Sequence, residues 1–259
     1  MQCRYVGDVG DFGKYGLLRA LTLPDTPDEL SLGVVWYLVC NHGPAGDGRY
    51  INYLKDENAG RFRPCDPPLF DCLKEIVDSN RRSVESIERA RILPAKYYHR
   101  NLSFKDTSLD ERPASRQAWL RGADERVQGC QLVFVDPDNG LQVKSASRHS
   151  TKGTKFVYYD ELRDYLSRGQ SVVVYQHLPM FLPREKEEEY ARWRADELRG
   201  CPAVEDVWAL LWRPYSRRMY FIIPNGREAV LKPRINTMLK GPWGEDRPEG
   251  PHFEPVLFL

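Results

Sequence analysis

Five short runs in this chain are apolar at nearly every position: residues 32–39 (LGVVWYLV), 131–136 (QLVFVD), 171–177 (SVVVYQH), 207–213 (VWALLWR) and 219–224 (MYFIIP). They are rich in β-branched and aromatic residues, and the first three hardly alternate. Strands covered on both faces read this way, because neither face meets water. Between the runs, apolar residues recur at helical spacing over 13–22, 66–79, 83–93, 115–127, 158–168 and 183–199. Asp11 is a candidate N-cap for the first helix, Pro67 occupies a favoured first-turn position, and Gly129, Gly169 and Gly200 fall where a C′ glycine ends a helix. Strands alternating with helices predict a three-layer α/β fold, a mainly parallel sheet flanked by helices. Only five residues separate the last two strands, so the sheet is expected to finish with an antiparallel C-terminal strand pair. No repeat or low-complexity linker interrupts the pattern, which predicts one domain over 1–259. The Pro- and Gly-rich tail, 241–259, is expected to pack as extended chain.

Composition narrows the partners. Hydrophobic residues make up 41% of the chain and charged residues 29%, and the net charge is +1. No global field draws this protein to a polyanion, so such a partner must be met through a local patch. The six cysteines are scattered without a C-x-x-C pair, which suits free thiols in a reducing cytoplasm. The opening lacks a signal-like apolar core, and no run approaches the ~20 apolar residues that span a bilayer, so no membrane partner is expected.

In open α/β sheets, ligands bind beyond the carboxyl ends of the strands. Three predicted strands deliver polar groups there: Asn41, Asp47 and Arg49 after the first, Asp136-Pro137-Asp138-Asn139-Gly140 after the second, and His177 after the third. Two carboxylates so close in sequence would push one pKa upward, which suits a general base. Turn and cap formation uses the same residue types. The N-terminal glycines Gly7, Gly10, Gly13 and Gly16 enclose Asp8, Asp11, Lys14 and Tyr15, a run that would let backbone approach an anion at a helix N-terminus. It matches no nucleotide-binding fingerprint, and a capped helix entering the core reads the same. Residues 213–240 carry Arg213, Arg217, Arg218, Lys232 and Arg234 among aromatics, a composition suited to a phosphate backbone and unstacked bases.

The segments GDVGDFGKYGLLR, WYLV with GDGRYINYL, and VFVDPDNG with KFVYYDEL resemble a widespread group of bacterial proteins of uncharacterised function. The order of elements is also similar to that of adenine-specific RNA and DNA methyltransferases. That likeness would place their D-P-P-Y motif on residues 136–139 and their cofactor loop near 41–49. Asp138 and Asn139 stand where the second proline and the aromatic would be. VFVDPDNG and VVVYQHLP resemble, locally, the strand–D-P-Y-H-G and strand–H-P-S-P pair of uracil-DNA glycosylases. Spacing between the two segments is shorter here.

The expectation from sequence is a cofactor-independent hydrolase on nucleic acid, above all a DNA glycosylase that excises a modified or damaged base in repair or anti-phage defence. Asp136 and Asp138 would serve water and the sugar cation, Asn139 the base and His177 the leaving group. Asp8, Asp11, Lys14, Tyr15, Asn41, Asp47 and Arg49 would bind substrate, and Arg213, Arg217, Arg218, Lys232 and Arg234 the DNA backbone. Trp36, Tyr37, Tyr158 and Tyr159 are available to line a base pocket or to fill the core. The alternatives are an S-adenosylmethionine-dependent methyltransferase, a magnesium-dependent nuclease built on Asp136, Asp138 and Asp8 or Asp47, and a non-catalytic nucleic-acid-binding module.

Overall fold

A computed structural model describes residues 5–39, 48–202, 204–245, 248 and 250–258. In chain order the elements begin with α1 (Val9–Thr22), β1 (Leu32–Val35), α2 (Asp56–Phe62), α3 (Pro67–Asp78), α4 (Val84–Ala90) and β2 (Lys96–Tyr98). They continue with α5 (Arg112–Val127), β3 (Leu132–Val135), β4 (Gly140–Leu141), β5 (Phe156–Val157), α6 (Arg163–Ser167) and β6 (Ser171–His177). The last are α7 (Glu187–Arg199), β7 (Trp208–Trp212), β8 (Arg218–Ile223), α8 (Glu228–Lys240) and β9 (Phe253–Leu257).

Seven strands form one mixed sheet in the order β2-β1-β3-β6-β8-β7-β9. The β2, β1, β3 and β6 strands run parallel, while β8 is antiparallel to both β6 and β7, and β9 is antiparallel to β7. The fold is therefore α/β as the sequence pattern predicts, and the hairpin joins β7 to β8. The small parallel pair of β4 with β5 stands apart from the main sheet. Alternate residues of each strand enter two apolar cores. Val34, Trp36, Phe134, Tyr175, Tyr220 and Trp212 face one, with α1, α3 and α8; Val35, Val133, Val174, Phe221 and Leu211 face the other, with α5, α6 and α7. Burial on both faces explains why β1, β3 and β6 show no alternation in sequence.

Several boundaries differ from the sequence expectation. The first helix starts at Val9 rather than residue 13, because Asp8 caps it and not Asp11: the Asp8 carboxylate accepts from the Gly10 and Asp11 amides at 2.8 and 3.0 Å. Gly129 and Gly169 adopt the left-handed φ of +77° and +71°, whereas Gly200 remains right-handed at −67°. The 158–168 helix is a 3-10 turn (Tyr159–Leu162) followed by α6. Part of the tail does more than pack as extended chain, since β9 closes the sheet edge. The α8 helix escapes sequence reading because Pro233 lies inside it, where a missing amide and a ring clash ordinarily stop a helix.

The glycines of α1 have a packing role that sequence alone did not separate from ligand binding. They recur every third residue and mark a close approach. A Cβ on Gly10 would lie 2.1 Å from the Arg218 guanidinium carbon, one on Gly13 2.6 Å from the Trp212 ring, and one on Gly16 2.2 Å from the Trp243 ring. On an exposed helix, Gly→Ala would gain about 1 kcal/mol of helix propensity. Overpacking against a buried indole costs about 1–3 kcal/mol. Gly13→Ala and Gly16→Ala are therefore expected to lower stability by up to about 2 kcal/mol in urea unfolding; a stabilised variant would mean that α1 does not rest on the indoles through its glycines.

Candidate functional site

The parallel strands β1, β3 and β6 end on one edge of the sheet. Because β8 runs the other way, its first residue lies there too: Arg218 pairs with His177 of β6 and with Trp212 of β7. The strand after β1 in sequence, β2, lies on one side of it and β3 on the other, so the chain reverses its direction of winding beside β1. Crevices at such a switch point are the usual ligand sites of open α/β sheets. A cavity of about 900 Å3 occupies this edge, lined by the N-terminus of α1, by Gly48, Arg49 and Tyr50, by residues 136–139 and 177–180, and by residues 215–218 of the β7–β8 turn.

At its floor the Lys14 ammonium donates to Asp11 Oδ1 and to Asp136 Oδ2, each at 2.8 Å. All three side chains are buried. Lys14 also lies 5.5 Å from the Trp36 ring centroid and 5.8 Å from that of Tyr175. Burial works against its charge, but Asp11 and Asp136 outweigh that and hold the ammonium protonated well above its ordinary range. The Asp11 carboxyl is pushed up to about 6, first by burial, with Lys14 opposing and Asp8 and Asp136 adding to the rise. The two sequence-adjacent acids do not share one environment. Asp136 faces Lys14, whereas Asp138 accepts from Lys155 at 2.9 Å. A raised carboxyl pKa does occur at this edge, on Asp11, which sequence spacing gave no reason to single out.

The segment carrying Asp138 and Asn139 is clipped in place by backbone. The Asp136 amide donates to Val35 O at 3.0 Å, the Asn139 amide to Lys155 O at 2.9 Å, and the His177 amide to Asn139 O at 3.2 Å. Gly140 follows at φ +117°, and a Cβ there would strike the Gln176 side chain at 2.4 Å. Gln176 Oε1 in turn accepts from the Leu141 amide at 2.9 Å. The loop is thus a rigid support for side chains at a strand end, the arrangement in which precise placement is possible.

His177 and Arg218 form the opposite wall. Arg218 Nε donates to the Tyr175 hydroxyl at 3.2 Å, and that hydroxyl lies 3.5 Å from His177 Nδ1. Burial lowers the His177 pKa below 6.5, the Arg218 charge lowers it further, and Asp138 partly offsets them. The ring is therefore neutral near pH 7. Arg218 Nη2 approaches Asp8 Oδ2 at 3.7 Å, a loose pair at the cavity wall.

The structure brings Asp8, Asp11, Lys14, Arg49, Asp136, Asp138, Asn139, His177, Arg217 and Arg218 around one cavity. Other expected residues fall elsewhere. Tyr15 is a core residue whose hydroxyl donates to Asp11 Oδ2 at 3.1 Å, and it does not line the cavity. Trp36, Tyr37 and Tyr158 are also buried in the cores. Asn41 and Asp47 lie outside the described residues. The α1 N-terminus offers no anion site, because the Val9 amide donates to Tyr50 O, the Gly10 and Asp11 amides to Asp8 Oδ1, and the Phe12 amide to Asp8 O. The 213–240 stretch divides instead of forming one basic surface. Arg213 and Arg217 both pair with Glu187, Lys232 lines a shallow groove on α8, and Arg234 donates to Leu21 O and Asp28 O ahead of β1. Among the described residues no group of three or more His, Cys, Asp or Glu is disposed to hold a metal ion, and Lys14 fills the space between Asp11 and Asp136 with its own cation. Sequence reading missed Tyr175, Lys155 and Tyr50, while Tyr215 was among the aromatics of the 213–240 stretch; the strand-end position of Tyr175 was the available signal.

Comparison with protein-family models finds none that matches the chain, and comparison with curated proteins finds no significant match. Among the described residues no helix is long and apolar enough to cross a membrane.

Because Asp11 binds its proton more tightly folded than unfolded, it contributes stability that is complete below its unfolded pKa and lost as pH rises through about 6. Lowering the pH from about 7 to about 5 should therefore add about 1 kcal/mol to the wild type relative to Asp11→Asn. Urea unfolding of both proteins across that range measures it; parallel pH profiles would place the Asp11 carboxyl in the ordinary range.

Proposed function

We propose that this chain modifies a nucleobase at an exocyclic amino group, using S-adenosylmethionine. The observation that supports this best is a convergence. Residues 136–139, which resemble the position of an adenine methyltransferase motif, share one cavity with Gly48 and Arg49, at the end of the segment where that likeness puts the cofactor loop. They meet at the switch point, where an open α/β sheet binds cofactors. The donor set suits the cofactor: Asp8 and Arg218, loosely paired at 3.7 Å, are complementary to the ammonium and carboxylate of an amino-acid zwitterion. The cavity of about 900 Å3 has room for a cofactor beside a base.

When bound, S-adenosylmethionine would supply an electrophilic methyl group. The chain's own residues do the rest. Asp138 and Asn139 accept hydrogen bonds from the exocyclic amine and turn its lone pair toward the methyl donor. Lys155 donates to the Asp138 carboxylate and orients it, and that carboxylate takes the proton the amine loses. The Lys14 bridge fixes Asp136, so Asp136 positions the loop and is not a free base.

A second reading has its own support. Asp138, neutral His177 and cationic Arg218 face the same space, and hydrolytic excision of a modified base, from DNA in repair or phage defence, needs an ionised carboxylate by the sugar and a donor to the departing base. No cofactor enters that reaction.

Purified protein titrated with S-adenosylmethionine in a calorimeter, then assayed for transfer of labelled methyl groups to mixed DNA and RNA, separates the two. Saturable binding with transfer is expected. Asp138→Ala should bind the cofactor normally and lose about 10²-fold or more in kcat. Absence of cofactor binding, with free base released from DNA, would establish excision instead.

A further inference from the structure

Among the described residues, seven large apolar side chains are exposed: Tyr50, Leu109, Met180, Phe181, Trp193, Tyr215 and Val230. Three of them, Tyr50, Met180 and Tyr215, line the mouth of the one cavity described above, and Phe181 adjoins it in sequence. Scattered exposed apolar residues call for no explanation, but a gathering at a ligand site does. Tyr50 and Tyr215 come from separate segments and meet with ring centroids 5.6 Å apart and planes at 43°. Tyr215 is 52% exposed, so its ring contributes little burial to the fold.

Its backbone makes the case stronger. Tyr215 holds φ at +60°. The other described non-glycine residues with positive φ are Leu23 and Arg91, which cap helices, and Asp25, Asn80 and Asn225, whose side chains favour that region. Tyr215 belongs to neither group. A bulky residue kept in a strained turn position, exposed at the rim of a cavity, is a mark of a functional contact, since glycine or asparagine would fit the turn at lower cost.

We propose that Tyr50 and Tyr215 form a stacking platform at the cavity mouth, and that the polymer acted on is single-stranded nucleic acid. This rests on the reading that the cavity receives a nucleobase. An exposed ring can stack only on a base whose face is free, which a strand offers and a duplex interior does not. Arg49, next to Tyr50 in sequence, lines the same cavity and supplies positive charge beside the rings for the phosphates that flank a stacked base. The platform would hold the nucleotide next to the target while the target enters the cavity.

The test compares wild type, Tyr215→Asn, Tyr215→Phe and Tyr50→Leu for anisotropy binding of a labelled mixed-sequence single strand and of the same strand annealed to its complement. Wild type is expected to bind the single strand at least about tenfold more tightly than the duplex. Tyr215→Asn and Tyr50→Leu should each weaken single-strand binding about tenfold, and Tyr215→Phe should not. Tyr215→Asn should also raise the melting temperature by about 2–4 °C, because it relieves the turn. Equal binding of duplex and strand, no binding of either, or full binding by Tyr215→Asn would overturn the platform. A lowered melting temperature in Tyr215→Asn would overturn it too, since the ring would then be serving the fold. The outcomes separate from those for methyl transfer: tyrosine-dependent strand binding without S-adenosylmethionine binding leaves the platform standing and removes that chemistry, whereas cofactor binding and transfer indifferent to both tyrosines does the reverse.

Discussion

Everything at the carboxyl edge of this sheet depends on the Lys14 ammonium, held buried between Asp11 and Asp136. The bridge joins the first helix to a central strand far away in sequence. Two unit charges a few ångströms apart interact several times more strongly here than at a wet surface. Each partner is costly to leave alone, so removing one would strand a buried charge. The arrangement fixes where the α1 N-terminus lies relative to the 136–139 loop, and hence the shape of the cavity between them. It also keeps the two neighbouring acids apart, Asp136 on Lys14 and Asp138 on Lys155 at the wall.

The division of labour between the two neighbouring acids shows how a protein gives like groups unlike roles. Asp136 and Asp138 stand two residues apart, yet one turn of backbone sends them to different cations. The raised carboxyl pKa appears on Asp11 instead, deeper and crowded by Asp8 and Asp136. Mutual repulsion between sequence neighbours was a reasonable expectation, but partner and depth decided the outcome.

What could be read from sequence follows the same logic. Strands β1, β3 and β6 were legible because burial on both faces forces a continuous apolar run, and the residues that leave their ends were legible as a site because topology puts strand ends together. The order of strands was not legible. Nothing local says that β8 inserts beside β6, and this alone carries Arg218 to the His177 wall. The α1 glycines were ambiguous because tight packing against Trp212 and Trp243 asks for the same residue as tight binding to an anion. The basic stretch looked continuous in one dimension and was divided by the hairpin and by α8, whose internal Pro233 hid the helix. Tyr50 and Tyr215 left no periodic signal, since exposed rim residues are not tied to the period of the core.

The contact of α1 with Trp212 and Trp243 has a consequence for biosynthesis. At ordinary rates of translation the glycine face leaves the ribosome roughly ten seconds or more before the indoles that cover it. Through that interval Phe12, Leu17 and Leu18 have no completed core, and for its first part Lys14 also waits for Asp136. The α1 segment is thus made well before the part of the sheet and tail that secures it.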